Sequence, residues 1–124
     1  MKKIVVIIYL IFSGLVFSQT NNNEYFSNGI DLYNNGKYNE AIVQFKLIIE
    51  NKEHSEALYF NLGNSYYKIN DIANSIYFYE KALKLNPKDR DILNNLAFSQ
   101  NMLIDKVEKL PRNQVSDFLN NISK

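Results

Sequence analysis

Apolar positions along this chain recur at helical spacing from about residue 22 onward. Between residues 56 and 69 they fall at Leu58, Tyr59, Leu62, Tyr66 and Ile69, which puts them on one helical face. Ser55 stands just before that stretch as an N-cap. Asn70-Asp71 reads as a turn whose aspartate caps a second helix with Ile72, Ile76, Tyr79 and Leu83 on its apolar face, ending at Asn86-Pro87. The preceding stretch follows the same plan, with a helix from Tyr25 to Asn35, a turn at Gly36-Lys37 and a helix from Tyr38 to Glu50. After a cap at Asp89, residues from Asp91 to about Lys109 read as one longer helix closed by Pro111. Val115, Phe118, Leu119 and Ile122 then follow i, i+3, i+4, i+7 spacing, which predicts a short amphipathic tail helix.

Sliding the sequence over itself by 34 residues brings these positions into register. Tyr25 falls on Tyr59, Gly29 on Gly63, Tyr33 on Tyr67, Ile42 on Ile76 and Phe45 on Tyr79. One further step takes Tyr59 to Leu93, Leu62 to Leu96 and Gly63 to Ala97. The small residues set the expected geometry. Gly29, Gly63 and Ala97 mark points where one helix closely approaches its neighbour, with Ala41, Ser75 and Ala82 answering from the second helices. Tyr25, Phe45, Tyr59, Tyr66 and Tyr79 fill the space between. A unit of this kind cannot bury its apolar face alone, so neighbouring units supply the core.

These residues resemble the tetratricopeptide repeat. The second unit carries its pattern at Tyr59, Leu62, Gly63, Tyr66, Ser75, Tyr79, Ala82 and Pro87. The first is looser, with Asn28 where leucine is usual and Glu53 where proline is usual. The resemblance covers about residues 22 to 104. It implies an all-α fold: a tetratricopeptide-type α-solenoid of about two and a half helix-turn-helix repeats plus a C-terminal capping helix. The division expected is a signal peptide over 1–18, repeat 1 over 22–55, repeat 2 over 56–89, a partial repeat or capping helix over 90–110, and the amphipathic tail over 111–124. A narrower resemblance lies in Ala97 to Asn101 and Ile104 to Pro111, which look like the segment closing the repeats in the Bacteroides aerotolerance (BatE-type) family. That resemblance implies an exported or membrane-tethered assembly role linked to oxidative stress, with von Willebrand A-domain envelope proteins as partners. Members of that family usually continue into hydrophobic sequence beyond this point.

The first twenty residues read differently. Lys2 and Lys3 precede the apolar run Ile4 to Phe17, broken only by Ser13 and Gly14, and Val16-Phe17-Ser18 offers a cleavage site before Gln19. This is a secretory leader pattern. The rival reading is a retained anchor, but the run is shorter than the roughly 20 residues a membrane span needs. The expected location is therefore periplasmic or envelope-associated. The chain carries a net charge of +1 and no cysteine. Without cysteine there is no disulfide framework, thiolate metal site or cysteine nucleophile. No basic run stands out, which argues against a nucleic-acid partner. The frequent asparagine, beginning with Asn21, Asn22 and Asn23, reads as a compositional habit of the source.

Catalytic chemistry finds little footing. His54 is the single histidine and falls in a polar loop, with no second histidine to complete a metal site or a nucleophile–base pair. The acidic residues are scattered and suit caps, turns and solvated faces. No glycine-rich phosphate loop is present. The expectation is a non-enzymatic protein with no cofactor, no metal and no small-molecule substrate.

Binding is the sharper hypothesis. First-helix side chains of such repeats line an inner groove. Here they would be Phe26, Ile30 and Tyr33, then Phe60, Asn61, Asn64 and Tyr67, then Asp91, Asn94, Asn95 and Phe98. Aromatic rings interleaved with amides suit an extended peptide or protein segment. Phe26, Phe60 and Phe98 also fit plain inter-helix packing. Asn64 and Asn95 stand at positions that resemble those of a carboxylate clamp, but Phe60 and Asp91 occupy the places where lysine would be needed. The tail residues Val115, Phe118, Leu119 and Ile122 are a second docking candidate. Their alternatives are capping the open end or lying on a membrane surface, the last disfavoured by the few cations nearby. Two functions stay open: a groove that binds a partner, or a structural subunit that self-associates or docks on a membrane protein through its open end and tail.

Overall fold

The computed structural model describes Lys2 and residues 21–123, so the leader assigned to residues 1–18 falls, apart from Lys2, outside the described residues. All regular structure among the described residues is helical. Helix α1 takes in residues 21–34. It is followed by α2 (Tyr38–Glu50), α3 (Glu56–Lys68), α4 (Ile72–Leu85), α5 (Arg90–Glu108) and α6 (Val115–Ile122). They fall into two compact units, one through His54 and one from Ser55. No described helix is long and apolar enough to cross a membrane.

Local chemistry explains where the helices begin. The Ser55 hydroxyl accepts a hydrogen bond from the Leu58 amide at 3.1 Å, and the Asp71 carboxylate accepts one from Asn74 at 3.3 Å. Asp89 accepts from Asp91 at 2.9 Å and Ile92 at 3.0 Å. Each cap satisfies amides that the first helical turn leaves without an internal partner. Lys37 precedes α2 and supplies no side-chain cap.

The turns inside the two repeats are closed in the same way. Gly36 donates to the Tyr33 carbonyl at 3.0 Å and Lys37 to the Leu32 carbonyl at 2.9 Å. In the next repeat, Asn70 donates to Tyr67 and Asp71 to Tyr66, both at 3.0 Å. This paired bonding satisfies the last helical carbonyls and requires a left-handed residue. Gly36 (φ 75°) and Asn70 (φ 63°) provide it. One repeat further on stands Ile104. A β-branched residue resists positive φ, so no turn forms there and α5 continues for 19 residues.

Packing within each unit is organised by a glycine beneath a ring. A Cβ on Gly29 would stand 2.5 Å from Phe45 Cε1, and one on Gly63 would stand 2.5 Å from Tyr79 Cδ1. In the first unit α2 buries Ala41, Ile42, Phe45 and Ile48. In the second, Leu58, Tyr59 and Leu62 of α3 are buried, with Ile72, Phe78, Tyr79 and Ala82 of α4 and Ile92 and Leu96 of α5. The Tyr66 and Phe78 rings stack with centroids 5.5 Å apart. The Lys81 ammonium lies 5.1 Å from the rings of both Tyr59 and Tyr77.

Two sequence expectations need correction. Ala97 does not mark a close helix contact; it is exposed. Gly29 and Gly63 each meet an aromatic residue sixteen positions later, but the residue sixteen after Ala97 is Asn113, which lies in the turn before α6. The small-residue contact of α5 is made instead by Ser99, whose hydroxyl lies 3.1 Å from that of Ser75 in a fully buried pair. Asn22 is not a compositional accident. It is buried, its amide nitrogen donates to Glu53, and its oxygen accepts from Asn51 at 2.6 Å. It thereby ties the start of α1 to the segment leaving α2.

The tail helix α6 folds back beside the α3–α4 turn. Phe118 and Ile122 line a cleft of about 320 Å³ there with Ile69, Ile72, Ala73 and Leu103. None of its residues is buried.

Candidate functional site

The groove residues predicted on the first unit sit as follows. Phe26 is half-buried, its ring 5.8 Å from that of Phe45. Tyr33 makes an edge contact with Tyr38 at 5.2 Å, and burial, with Tyr38 beside it, raises its pKa. Ile30 is half-buried. Phe26 and Tyr33 therefore spend much of their surface on packing within their own unit. A polar cleft of about 660 Å³, lined by Asn28, Asp31, Leu32, Asn35, Lys37 and Gln44, lies on this unit.

The second unit presents a more defined site. Phe60, Asn64 and Tyr67 follow i, i+4, i+7 spacing on α3, and Asp91, Asn94, Asn95 and Phe98 follow the matching spacing on α5. Asn64 joins the two helices. Its Oδ1 accepts from Asn95 Nδ2 at 3.0 Å and from the Tyr79 hydroxyl of α4 at 2.6 Å. With two donors on one amide oxygen, both acceptor sites of Asn64 are used. The Asn64 amide N–H groups and the Asn95 side-chain carbonyl take no part in these two bonds. A peptide group in an extended chain carries the complementary pair.

The apolar members differ from one another. Phe60 is half-buried and packs its ring 6.0 Å from Tyr79. Tyr67 is half-buried. Phe98 is 63% exposed, so it serves the surface, while Phe60 serves both surface and packing. Asn94 and Asp91 are exposed. Asn61 is turned back onto its own helix, where its amide donates to the Ala57 carbonyl at 2.8 Å. Helical position points it at a ligand; its side chain instead satisfies backbone. Tyr79 is the member that sequence reasoning missed. Its ring reads as core, and its hydroxyl, which orients Asn64, gives no signal of its own in the pattern.

In the tail, Val115 and Phe118 are half-buried, whereas Leu119 and Ile122 are exposed. No group of three or more metal-ligating side chains occurs among the described residues. His54 is exposed in the segment between α2 and α3.

Residues 56–89 match the family model of the tetratricopeptide repeat. The match takes in α3, α4 and the cap of α5, and so includes Gly63, Asn64, Tyr67 and Tyr79. No curated protein matches the chain.

Proposed function

We propose that this chain is a non-catalytic interaction module that holds an extended segment of a partner protein on the α3–α5 face. Tetratricopeptide repeats generally mediate protein–protein interaction, and the matched repeat supplies half of this face. The observation that carries the reading is the double hydrogen bond on Asn64 Oδ1, which joins α3 to α5 and leaves the Asn64 amide N–H groups and the Asn95 side-chain carbonyl out of these bonds. Exposed Phe98 and half-buried Tyr67 flank this pair with ring surface. Rings contribute contact area at low entropic cost, and the fixed amides are already oriented for a peptide backbone.

In this reading the leader exports the chain, and it acts on the periplasmic side of an envelope complex. The likeness of residues 97–111 to the aerotolerance family supports that part and makes von Willebrand A-domain proteins the first partners to test. The experiment is a pull-down from the source's envelope extract with the wild-type chain and with a Tyr67→Ala/Phe98→Ala variant. Both residues lie outside the buried core, so helicity should be preserved. A partner recovered with wild type and lost with the variant supports the face. Equal recovery with both chains overturns it.

A further inference from the structure

The stripe on α5 is exposed where the earlier repeats carry the ring of a second helix. In the earlier repeats, the first-helix face centred on Gly29 is covered by Phe45 of α2, and the one centred on Gly63 by Tyr79 of α4. On α5 the matching face runs Leu93, Ala97 and Gln100, and the longer helix continues it through Ile104 and Glu108, all on one side. It is uncovered: Leu93 is 42% and Ile104 53% exposed. It lies on a different side of α5 from Asn95, so it is separate from the α3–α5 face.

The tail helix carries the pattern that covers such a stripe. The second helices place their ring between two aliphatic residues, as Ile42-Phe45-Ile49 and Ile76-Tyr79-Leu83. Helix α6 repeats this spacing as Val115-Phe118-Ile122. Within its own chain α6 leaves the stripe open, since Leu93 and Ile104 remain exposed. In its own chain the ring of Phe118 lies by the α3–α4 turn, and no α6 residue is buried.

We propose that α6 of a second copy occupies the Leu93–Ala97–Ile104 stripe, so that two chains each complete the other's third repeat. The second helices run antiparallel to the first, and that direction places Phe118 over Ala97 and Ile122 toward Leu93. It also brings exposed Arg112, ahead of α6, toward exposed Asp105 and Glu108 at the end of the stripe. These charges are complementary, and Lys106 between the two acids is turned away, its ammonium 3.3 Å from the Asn70 carbonyl. Exchange of the same two elements in both directions is self-complementary, as a two-fold dimer requires.

The test uses the full chain. Light scattering over a concentration series should show a dimer that dissociates on dilution. Ala97→Glu and Ile122→Asp, both at exposed positions, should each reduce the mass to that of one chain with the helical circular dichroism unchanged. The chain has no cysteine, so a Leu93→Cys chain mixed with an Ile122→Cys chain should form a mixed disulfide under mild oxidation. A one-chain mass at every concentration, or a dimer that survives both charge variants, overturns the proposal. So does a mixture that yields no disulfide between the two substituted positions while the wild type is dimeric.

Discussion

Gly36 and Asn70 hold the same left-handed backbone conformation one repeat apart, with φ of 75° and 63°. Each closes its turn with the same two hydrogen bonds, onto Leu32 and Tyr33 in one case and Tyr66 and Tyr67 in the other. Asn70→Ile therefore places a β-branched side chain where positive φ is strained and should cost about 1–3 kcal/mol. Asn70→Gly should be neutral or slightly stabilising. Urea denaturation of the two variants checks this, and equal stability of both would mean that the turn bears no strain.

The glycine beneath Tyr79 is held against a ring that cannot yield. Tyr79 is 1% exposed and its hydroxyl is bonded to Asn64. Gly63→Leu should therefore destabilise the second unit by about 1–3 kcal/mol or more through overpacking. Ala97→Leu, at the matching position that a single chain leaves uncovered, should change stability by no more than about 0.5 kcal/mol when measured at dilutions where the chain is a monomer. A comparable loss from both would show that α5 is covered within its own chain.

Helix α2 begins at Lys37 without a side-chain cap, whereas Asp71 caps α4 at the matching place. Lys37→Asp should stabilise the first unit by about 1 kcal/mol, and Asp71→Ala should weaken the second by about the same amount. Thermal melts of the two variants, moving in opposite directions, are the expected result.

Three groups link stability to alkaline pH in the same direction. Burial raises the pKa of Tyr33 and Tyr66 above 10.0, with Tyr38 and Asp71 adding to it respectively. Lys81 is raised above 10.5, mainly by its hydrogen bond to Tyr77. In each case the folded chain holds a proton that the unfolded chain gives up first, so stability is full below about pH 10 and falls as pH rises beyond it. Melting temperatures measured from pH 8 to 11 should show this decline. Tyr66→Phe should make the decline shallower, and an unchanged slope would remove Tyr66 from the account.

Much of the fold is legible in the sequence because spacing and caps report it directly. Ser55, Asp71 and Asp89 each cap the helix expected of them, and Gly29 and Gly63 each lie beneath the ring sixteen residues on. Ala97 misled because its small size continues a pattern whose second helix, among the described residues, does not begin at the matching place. Ile104 explains this, since it occupies the position where Gly36 and Asn70 make the turn. The site was legible as a face but not as a network. Helical spacing puts Asn64 and Asn95 on that face, yet the hydroxyl of a core tyrosine sets which way their amides point. Asn61 was unreadable for a related reason, because an amide on a helix can bond its own backbone as readily as a ligand. Asn22 was missed because its partners, Asn51 and Glu53, stand about thirty residues away.

The most direct test of the binding face is a photo-crosslinking amino acid placed at Phe98 in cells of the source, with the same group at exposed Val43 on α2 as the control. The expected result is one discrete protein adduct from position 98 that is absent from position 43 and lost when Tyr67→Ala is added. No adduct at position 98, or the same adducts from both positions, would contradict a binding role for this face.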